Sequence, residues 1–212
     1  MSSLKLKLEN NCFYHIYNIG IEERIIFEAK KDILRFQNAI EYYQNSSNPF
    51  RFSFRNKKNN IENTSAKKLV EVLVFCLMPN HFHLILKQIS DNGISLFMSK
   101  LTNSYVRYFN QKSKRLGPLF KSSFKFSKLE NIDELIKVSR YIHLDPLKSN
   151  IVTNLDTFPF SSYSQYVNNS AGFCNTNIIL NTYNNSQEYK NFIQDQEDYQ
   201  KSLEDLKSQI FE

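Results

Sequence analysis

The stretch LVEVLVFCLMPNHFHLILKQ, residues 69–88, predicts two strands joined by a short turn. Its first part, 69–79, is apolar and rich in β-branched residues, which is typical of a buried strand. After the Pro-Asn pair, HFHLILKQ is predicted as the second strand. Successive side chains of a strand point to opposite faces, so His81 and His83 project together while Phe82 points away. Two imidazoles on one face can share a divalent ion.

The segments on either side extend this pair into an alternating series of helices and strands. The predicted elements are a strand at 12–20, a helix at about 28–45, a short strand at 50–55 within a polar loop, a helix over 93–115, a strand at 119–129 and a helix from Asn131 to about 144. Pro146 is expected to end the last helix. This order indicates an α+β domain with an antiparallel sheet.

The composition favours one sizeable folded domain. The chain has 212 residues, of which 41% are hydrophobic, enough for a packed core. Three cysteines without a CxxC pair indicate neither a disulfide framework nor a structural zinc site. The first residues lack the apolar core of a signal peptide, and no apolar run approaches the ~18 residues of a membrane span. We therefore expect a soluble, cytoplasmic protein without a membrane partner.

The charge of the chain indicates an anionic partner, with nucleic acid first. The formal net charge is +6 and the sequence pI is about 9.1. Basic residues cluster on either side of the histidine segment, whereas acidic residues concentrate in the final segment, which predicts a charged amphipathic helix. The residues expected to contact DNA are Arg51, Arg55, Lys57, Lys58, Lys112, Arg115, Lys121 and Lys125. For each cluster taken singly, a solvated surface is the alternative.

A second group of candidate residues lies in SRYIHLDPLK, 139–148. On a helix, Tyr141 and Asp145 are four residues apart and share a face. Two imidazoles and the Asp145 carboxylate with open positions would make a catalytic metal site, with Tyr141 as a nucleophile or acid beside it. His143 falls on the other side of the helix and is expected in packing or at the surface. The alternative for the histidine pair is two half-buried rings, each hydrogen-bonded to its own partner.

Longer motifs carry a resemblance to a known family. MPNHFHLIL is followed about sixty residues later by YIHLDPLKSNIV and then by FPFSSY. YHIYNIGIEERIIF, GPLFKSSFK and SQEYKNFI support them, and together these segments span most of residues 11–195 in the family's order. The chain resembles the REP-associated tyrosine transposases, which are relatives of the single-tyrosine insertion-sequence transposases in the HUH superfamily.

The resemblance implies a fold and a division of the chain. The fold would be α+β, with a ferredoxin-like antiparallel sheet and flanking helices, as in HUH endonucleases and transposases. Residues 1–180 would form the single-tyrosine transposase-like domain, and 181–212 a charged helical extension. The histidines would lie on a central strand, and the tyrosine on a helix alongside.

The resemblance also implies roles for individual residues. His81 and His83 match the metal ligands of the family, and Tyr141 matches its nucleophilic tyrosine. Asp145 stands where the family usually has Asn or Gln as a further metal ligand. The carboxylate adds a negative charge, which favours a hard divalent ion but repels a phosphate.

The implied activity is metal-dependent nicking and rejoining of single-stranded DNA during transposition. Mg²⁺ or Mn²⁺ would be the cofactor, and single-stranded or hairpin DNA the partner of a monomer or homodimer associated with the nucleoid. Attack by Tyr141 would give a 5′-phosphotyrosine and a free 3′-OH, so rejoining needs no ATP. Two alternatives are open: an inactive, domesticated protein that binds DNA hairpins, and a metal-dependent hydrolase of a small substrate.

Overall fold

A four-stranded antiparallel sheet carries the fold of this protein in the computed structural model, which describes residues 8–45, 52 and 67–195. The strands are β1 (Phe13–Ile19), β2 (Val70–Leu77), β3 (His81–Gln88) and β4 (Lys125–Leu129). The helices are α1 (Lys30–Tyr43), α2 (Gly93–Lys112), α3 (Ile132–Lys148), α4 (Tyr163–Val167), α5 (Asn177–Leu180) and α6 (Ser186–Gln194). None of the helices in these ranges is long and apolar enough to cross a membrane.

The strand order is β2-β3-β1-β4, and each neighbouring pair is antiparallel. Helix α1 connects β1 to β2, and α2 connects β3 to β4, which gives the βαββαβ order of a ferredoxin-like domain. The predicted α+β class with an antiparallel sheet and flanking helices is therefore confirmed. The two central strands, β1 and β3, pair over their full length, and His83 lies opposite Tyr17.

The two faces of the sheet are covered by different helices. Side chains such as Phe82 and Leu84 form the first core with α1 and α2. Side chains such as Val74 and Ile85 form the second core with α3 to α6. Because strand residues alternate between the faces, His83 lies on the side of the second core, as the alternation predicted.

Helix α3 begins where its sequence indicated and ends later. The Asn131 side chain accepts a hydrogen bond from the Glu134 N–H at 2.9 Å, which caps the first turn. The prediction that Pro146 stops the helix at about residue 144 was wrong, because α3 continues to Lys148. Proline removes one helical hydrogen bond and its ring crowds the carbonyl of residue i−4, but the next turn still closes here, since the Ser149 N–H donates to the Asp145 carbonyl at 2.9 Å.

Of two other predicted strands, one needs correction and the other lies almost entirely outside the described residues. The strand predicted at 119–129 begins only at Lys125, because Asn18 donates hydrogen bonds from its side-chain amide to the carbonyls of Ser122 and Ser123, at 3.2 and 2.7 Å. Those carbonyls therefore bond to a side chain instead of to the backbone N–H groups of β1. The strand predicted at 50–55 lies outside the described residues except for Phe52.

The C-terminal part of the described chain packs onto the second core. Tyr189 and Ile193 of α6 are completely buried there. The Tyr189 hydroxyl lies 2.8 Å from Nδ1 of His143, which is completely buried, so of the two placements expected for His143, packing or surface, the structure shows packing. The division of the chain after residue 180 stays a prediction.

Candidate active site

Helix α3 and strand β3 bring two histidines and an aspartate together. His81 and His83 project from β3 toward α3, and Asp145 comes from the last turns of that helix. One carboxylate oxygen, Oδ2, lies 2.9 Å from Nε2 of His81 and 3.7 Å from Nε2 of His83. One ligand atom from each residue lies within 4.8 Å of the others. The predicted grouping of these three side chains is thus present in the structure.

In each of the two histidines, Nδ1, the ring nitrogen that does not face Asp145, contacts a second residue. Nδ1 of His81 lies 2.7 Å from the side-chain oxygen of Asn80. Nδ1 of His83 lies 2.9 Å from Nε2 of His15, a residue of β1. Both Nε2 atoms are consequently directed at Asp145. Ligating histidines commonly have this arrangement, in which the second nitrogen is fixed by a hydrogen bond.

The protonation states favour a cation between these groups. Burial lowers the pKa of His83 well below its ordinary value, so the ring is neutral at neutral pH. Burial raises the pKa of Asp145, but the contact with His81 and the neighbouring His83 outweigh it and hold the pKa below its ordinary value. The site therefore carries an ionised carboxylate that is nearly excluded from water, since Asp145 is 7% exposed.

The donor set fits a divalent metal ion. Two atoms bonded to one ion at about 2.1 Å lie about 3 Å apart at a right angle and about 3.4 Å apart in a tetrahedron. The separations of 2.9 and 3.7 Å from Asp145 bracket these values. With the ring hydrogen of His81 on Nδ1, where the Asn80 oxygen can accept it, the lone pair of Nε2 faces the Asp145 carboxylate at 2.9 Å, and a metal cation would hold the two together.

Tyr141 lies one helical turn before Asp145 and beside the same cluster. Its ring is nearly perpendicular to the His83 ring, with the centroids 5.8 Å apart. Nζ of Lys148 lies 4.8 Å from the centre of the Tyr141 ring. Burial, followed by the charges of Asp145 and Tyr17, raises the pKa of Tyr141 to about 12. The phenol is therefore protonated at neutral pH and needs activation before it can act as a nucleophile.

Three residues of this site were missed from the sequence. His15 and Tyr17 of β1 stack with His83, with ring centroids 5.1 and 5.9 Å from it. Lys148 lies against Tyr141, as described above. The signal for the first two was present in YHIYNIG, since residues two apart on a strand share a face. What was absent was the register that places this face beside His83.

Comparison with known proteins identifies the family. A family model described as "Transposase IS200 like" matches residues 9–145, more than half of the chain. This chain belongs to the IS200-like transposase family. The matched range begins before β1 and ends at Asp145, so it contains His81, His83 and Tyr141. The resemblance inferred from the sequence is confirmed at this level.

Solved structures support the fold of this IS200-like transposase. A structure titled "Structure of the REP associates tyrosine transposase bound to a REP hairpin" is 14% identical, with a TM-score of 0.53, and the match covers 81% of this chain and 92% of that one. A tRNA(His) guanylyltransferase from Saccharomyces cerevisiae is 14% identical over 88% of this chain and 72% of that one, but its TM-score of 0.39 carries no argument. No curated protein sequence matches the chain.

The predicted DNA contacts of this transposase are dispersed. Lys125 lies on the histidine face, with Nζ 6.0 Å from the centre of the Tyr17 ring, and Lys121 is exposed where its N–H bonds to Ile19 at the end of β1. Lys112 and Arg115 lie at the end of α2, where Lys112 pairs with Asp32 at 2.6 Å. Four further predicted contacts lie outside the described residues, namely Arg51, Arg55, Lys57 and Lys58. All eight stay predictions.

Proposed function

We propose that this transposase nicks and rejoins single-stranded DNA through a covalent phosphotyrosine at Tyr141, with a divalent metal ion held by His81, His83 and Asp145. The observation that carries the proposal is the meeting of Tyr141 with the ligand cluster across the β3–α3 interface. A tyrosine and a metal site on facing elements can act on the same phosphate. Membership of a transposase family supports DNA as the substrate.

The chain's own residues would each perform a defined part of the reaction. The phenolic oxygen of Tyr141 attacks the scissile phosphorus and loses its proton, and a new O–P bond forms. The bond from phosphorus to the 3′ oxygen breaks, and that oxygen takes up a proton to become a 3′-OH. The product is a 5′-phosphotyrosine. Attack by a 3′-OH on this diester reverses the step, so rejoining conserves the energy of the bond.

Activation of Tyr141 requires positive charge, because its pKa lies near 12. When bound, Mg²⁺ or Mn²⁺ supplies this charge and polarises the phosphate. Lys148 places its ammonium group 4.8 Å from the centre of the Tyr141 ring and would add a second positive charge near the phenol. Asp145 contributes the anionic ligand, with a charge that balances part of the metal's.

The DNA partner is proposed to be a single strand or hairpin. The net charge of +6 favours a polyanion, and Lys125 brings an ammonium group to the face that carries the histidines. The structurally similar REP-associated transposase is described as bound to a REP hairpin, which makes hairpins the first substrates to test. The protein would act as a monomer or homodimer in the cytoplasm, near the nucleoid.

The proposal is tested with labelled single-stranded hairpins taken from the sequence that flanks the gene. The protein is incubated with each hairpin and Mn²⁺, and a denaturing gel reveals any protein–DNA adduct. We expect an adduct with the unmodified protein that is lost with Tyr141→Phe and with EDTA. Binding on a native gel should persist for Tyr141→Phe, because the ring and the basic surface are retained.

Tyr17→Phe is the matched control, since Tyr17 lies next to the same cluster and also loses only a hydroxyl. The adduct should still form with this variant. If the adduct disappears with Tyr17→Phe and survives Tyr141→Phe, the nucleophile is Tyr17 and the proposed role of Tyr141 is wrong. Binding of hairpins without any adduct would instead support an inactive DNA-binding protein.

A further inference from the structure

His15 lies in the middle of β1, is completely buried, and touches the candidate metal site from behind. Its ring is parallel to that of His83 within 17°, and the two centroids are 5.1 Å apart. Tyr17 stacks on His15 at the same distance, at 19°. Among the described residues, the only side-chain atom of His15 with a hydrogen-bond partner is Nε2, which lies 2.9 Å from Nδ1 of His83.

The direction of this hydrogen bond decides whether His83 can bind a metal. A neutral imidazole carries one hydrogen, so one nitrogen donates and the other accepts. If Nδ1 of His83 donates to His15, the lone pair of His83 Nε2 is free to face a cation. If His15 donates instead, Nε2 of His83 carries the hydrogen and cannot be a ligand. His15 therefore has to be the acceptor in the metal-bound state.

The other nitrogen of His15 has no partner among the residues that the structure describes. A buried polar atom without a hydrogen bond destabilises a fold relative to an apolar side chain of the same shape. His143 is the contrasting case: it is also completely buried, but its two nitrogens lie 2.8 Å from the hydroxyls of Tyr189 and Ser162. Internal hydrogen bonding accounts for the burial of His143 and does not account for the burial of His15.

We propose that His15 is a positioning residue of the metal site, which accepts the Nδ1 hydrogen of His83 and so directs the lone pair of His83 Nε2 toward the ion. The inference rests on the metal site of the proposed function. Asn80 serves His81 in the same way, at 2.7 Å. Loss of such an outer partner typically weakens metal binding about 10- to 100-fold. His15 would then affect metal binding without contacting the ion.

The experiment measures Mn²⁺ affinity by calorimetry on the full chain without DNA, alongside the melting temperature of each metal-free protein. His15→Phe keeps a stacked ring and removes the acceptor, and His15→Gln restores an acceptor with its side-chain oxygen. His143→Phe is the matched control, because it replaces the other fully buried histidine. We expect His15→Phe to weaken Mn²⁺ binding about 10- to 100-fold, and His15→Gln to recover most of the affinity. The melting temperature of His15→Phe should change little, because the variant leaves Nδ1 of His83 unpaired but removes the unpaired Nδ1 of His15.

The control should behave in the opposite way. His143→Phe should lower the melting temperature, since it removes the two buried hydrogen bonds that His143 makes with the hydroxyls of Tyr189 and Ser162. It should keep the affinity for Mn²⁺ near that of the unmodified protein. The inference is overturned if His15→Phe binds Mn²⁺ as tightly as the unmodified protein, or if both phenylalanine variants lose affinity in proportion to their melting temperatures. If the unmodified protein binds no Mn²⁺ at all, the metal site of the proposed function fails and the role of His15 fails with it.

The hydrogen itself can be observed. With diamagnetic Mg²⁺ bound, long-range proton–nitrogen spectra should show the hydrogen of His83 on Nδ1 and none on Nε2. A hydrogen on Nε2 in the Mg²⁺-bound protein would contradict the proposed role of His15.

Discussion

Each face of the sheet has a buried aspartate close to it, and the two carboxylates have opposite surroundings. Asp32, at the start of α1, accepts hydrogen bonds from the Lys112 ammonium at 2.6 Å, the Tyr108 hydroxyl at 2.7 Å and the Ala29 N–H at 2.9 Å. Asp145, on α3, faces two imidazole nitrogens at 2.9 and 3.7 Å. The first carboxylate has its cation within the protein. The second is arranged to receive one.

The partners of a buried carboxylate distinguish a structural role from metal binding. A buried carboxylate that is fully hydrogen-bonded to an ammonium group fixes the position of a helix. A buried carboxylate that faces the nitrogens of two imidazole rings can form a ligand set with them. All four histidines of the chain, at positions 15, 81, 83 and 143, lie on the α3 side of the sheet, whereas the α1–α2 side is packed with apolar and aromatic side chains.

The largest expected effect is on the α3 side, where removal of a ligand breaks the site. His81→Ala should abolish Mn²⁺ binding and lower the rate of adduct formation about a thousandfold, because several kcal/mol of charge stabilisation are lost. The side chain of His81 is 23% exposed, so the fold should survive. Single-turnover adduct formation on gels measures the rate. A rate within tenfold of the unmodified protein would remove His81 from the site.

Metal binding should also stabilise the folded protein, and this stabilisation should depend on the ligands on the α3 side of the sheet. A ligand present at 100 times its Kd stabilises the folded state by about 2.7 kcal/mol. Mn²⁺ should therefore raise the melting temperature of the unmodified protein and of Asp32→Asn, and leave that of His81→Ala unchanged. A scanning fluorimetry titration with EDTA reversal is the measurement. An equal rise in all three proteins would mean that Mn²⁺ binds elsewhere.

Asp32→Asn should lower the free energy of unfolding by about 1–3 kcal/mol, because it weakens the buried contacts with Lys112 and Tyr108. Burial raises the pKa of Asp32, but these hydrogen bonds outweigh it and hold the pKa below its ordinary value. The associated stability is present above the ordinary aspartate pKa of about 3.9 and is lost as the pH falls from there through the lower folded value. Urea unfolding from pH 6 to pH 2.5 measures the loss.

The unmodified protein should lose more stability than Asp32→Asn over that acidic range, since asparagine does not titrate. Parallel pH profiles for the two proteins would show that Asp32 is not tied to Lys112 in solution. Mn²⁺ affinity should be the same in both, which separates this carboxylate from the metal site.

The smallest effect is expected for Asp145→Asn, which introduces the amide that the family usually has. The oxygen ligand is kept and one negative charge is removed, so Mn²⁺ affinity should fall only about tenfold. Adduct formation should persist at saturating Mn²⁺. Calorimetry and the adduct gel measure the two quantities. Complete loss of binding would show that the charge of Asp145, and not its oxygen, holds the ion.

Much of the site was predictable because it follows from local geometry. The two-residue period of a strand placed His81 and His83 on one face, and the four-residue spacing on a helix joined Tyr141 to Asp145. The predicted end of α3 failed because a proline near a C-terminus removes one hydrogen bond and leaves the following turn able to close. The basic residues stay predictions, since charge alone does not tell an ammonium bound to a carboxylate, such as Lys112, from one available to DNA.

By itself the sequence determined which residues share a face of a strand or a helix, the order of the elements, and the resemblance to a transposase family. Backbone geometry sets the shared faces, and the motifs and their order along the chain carry the resemblance. Only the tertiary structure decided that His15 lies next to His83 and that Asp32 already has its cation. The partners in these two contacts are 68 and 80 residues apart. Such contacts depend on strand register and on how helices pack across the sheet, which no local period encodes.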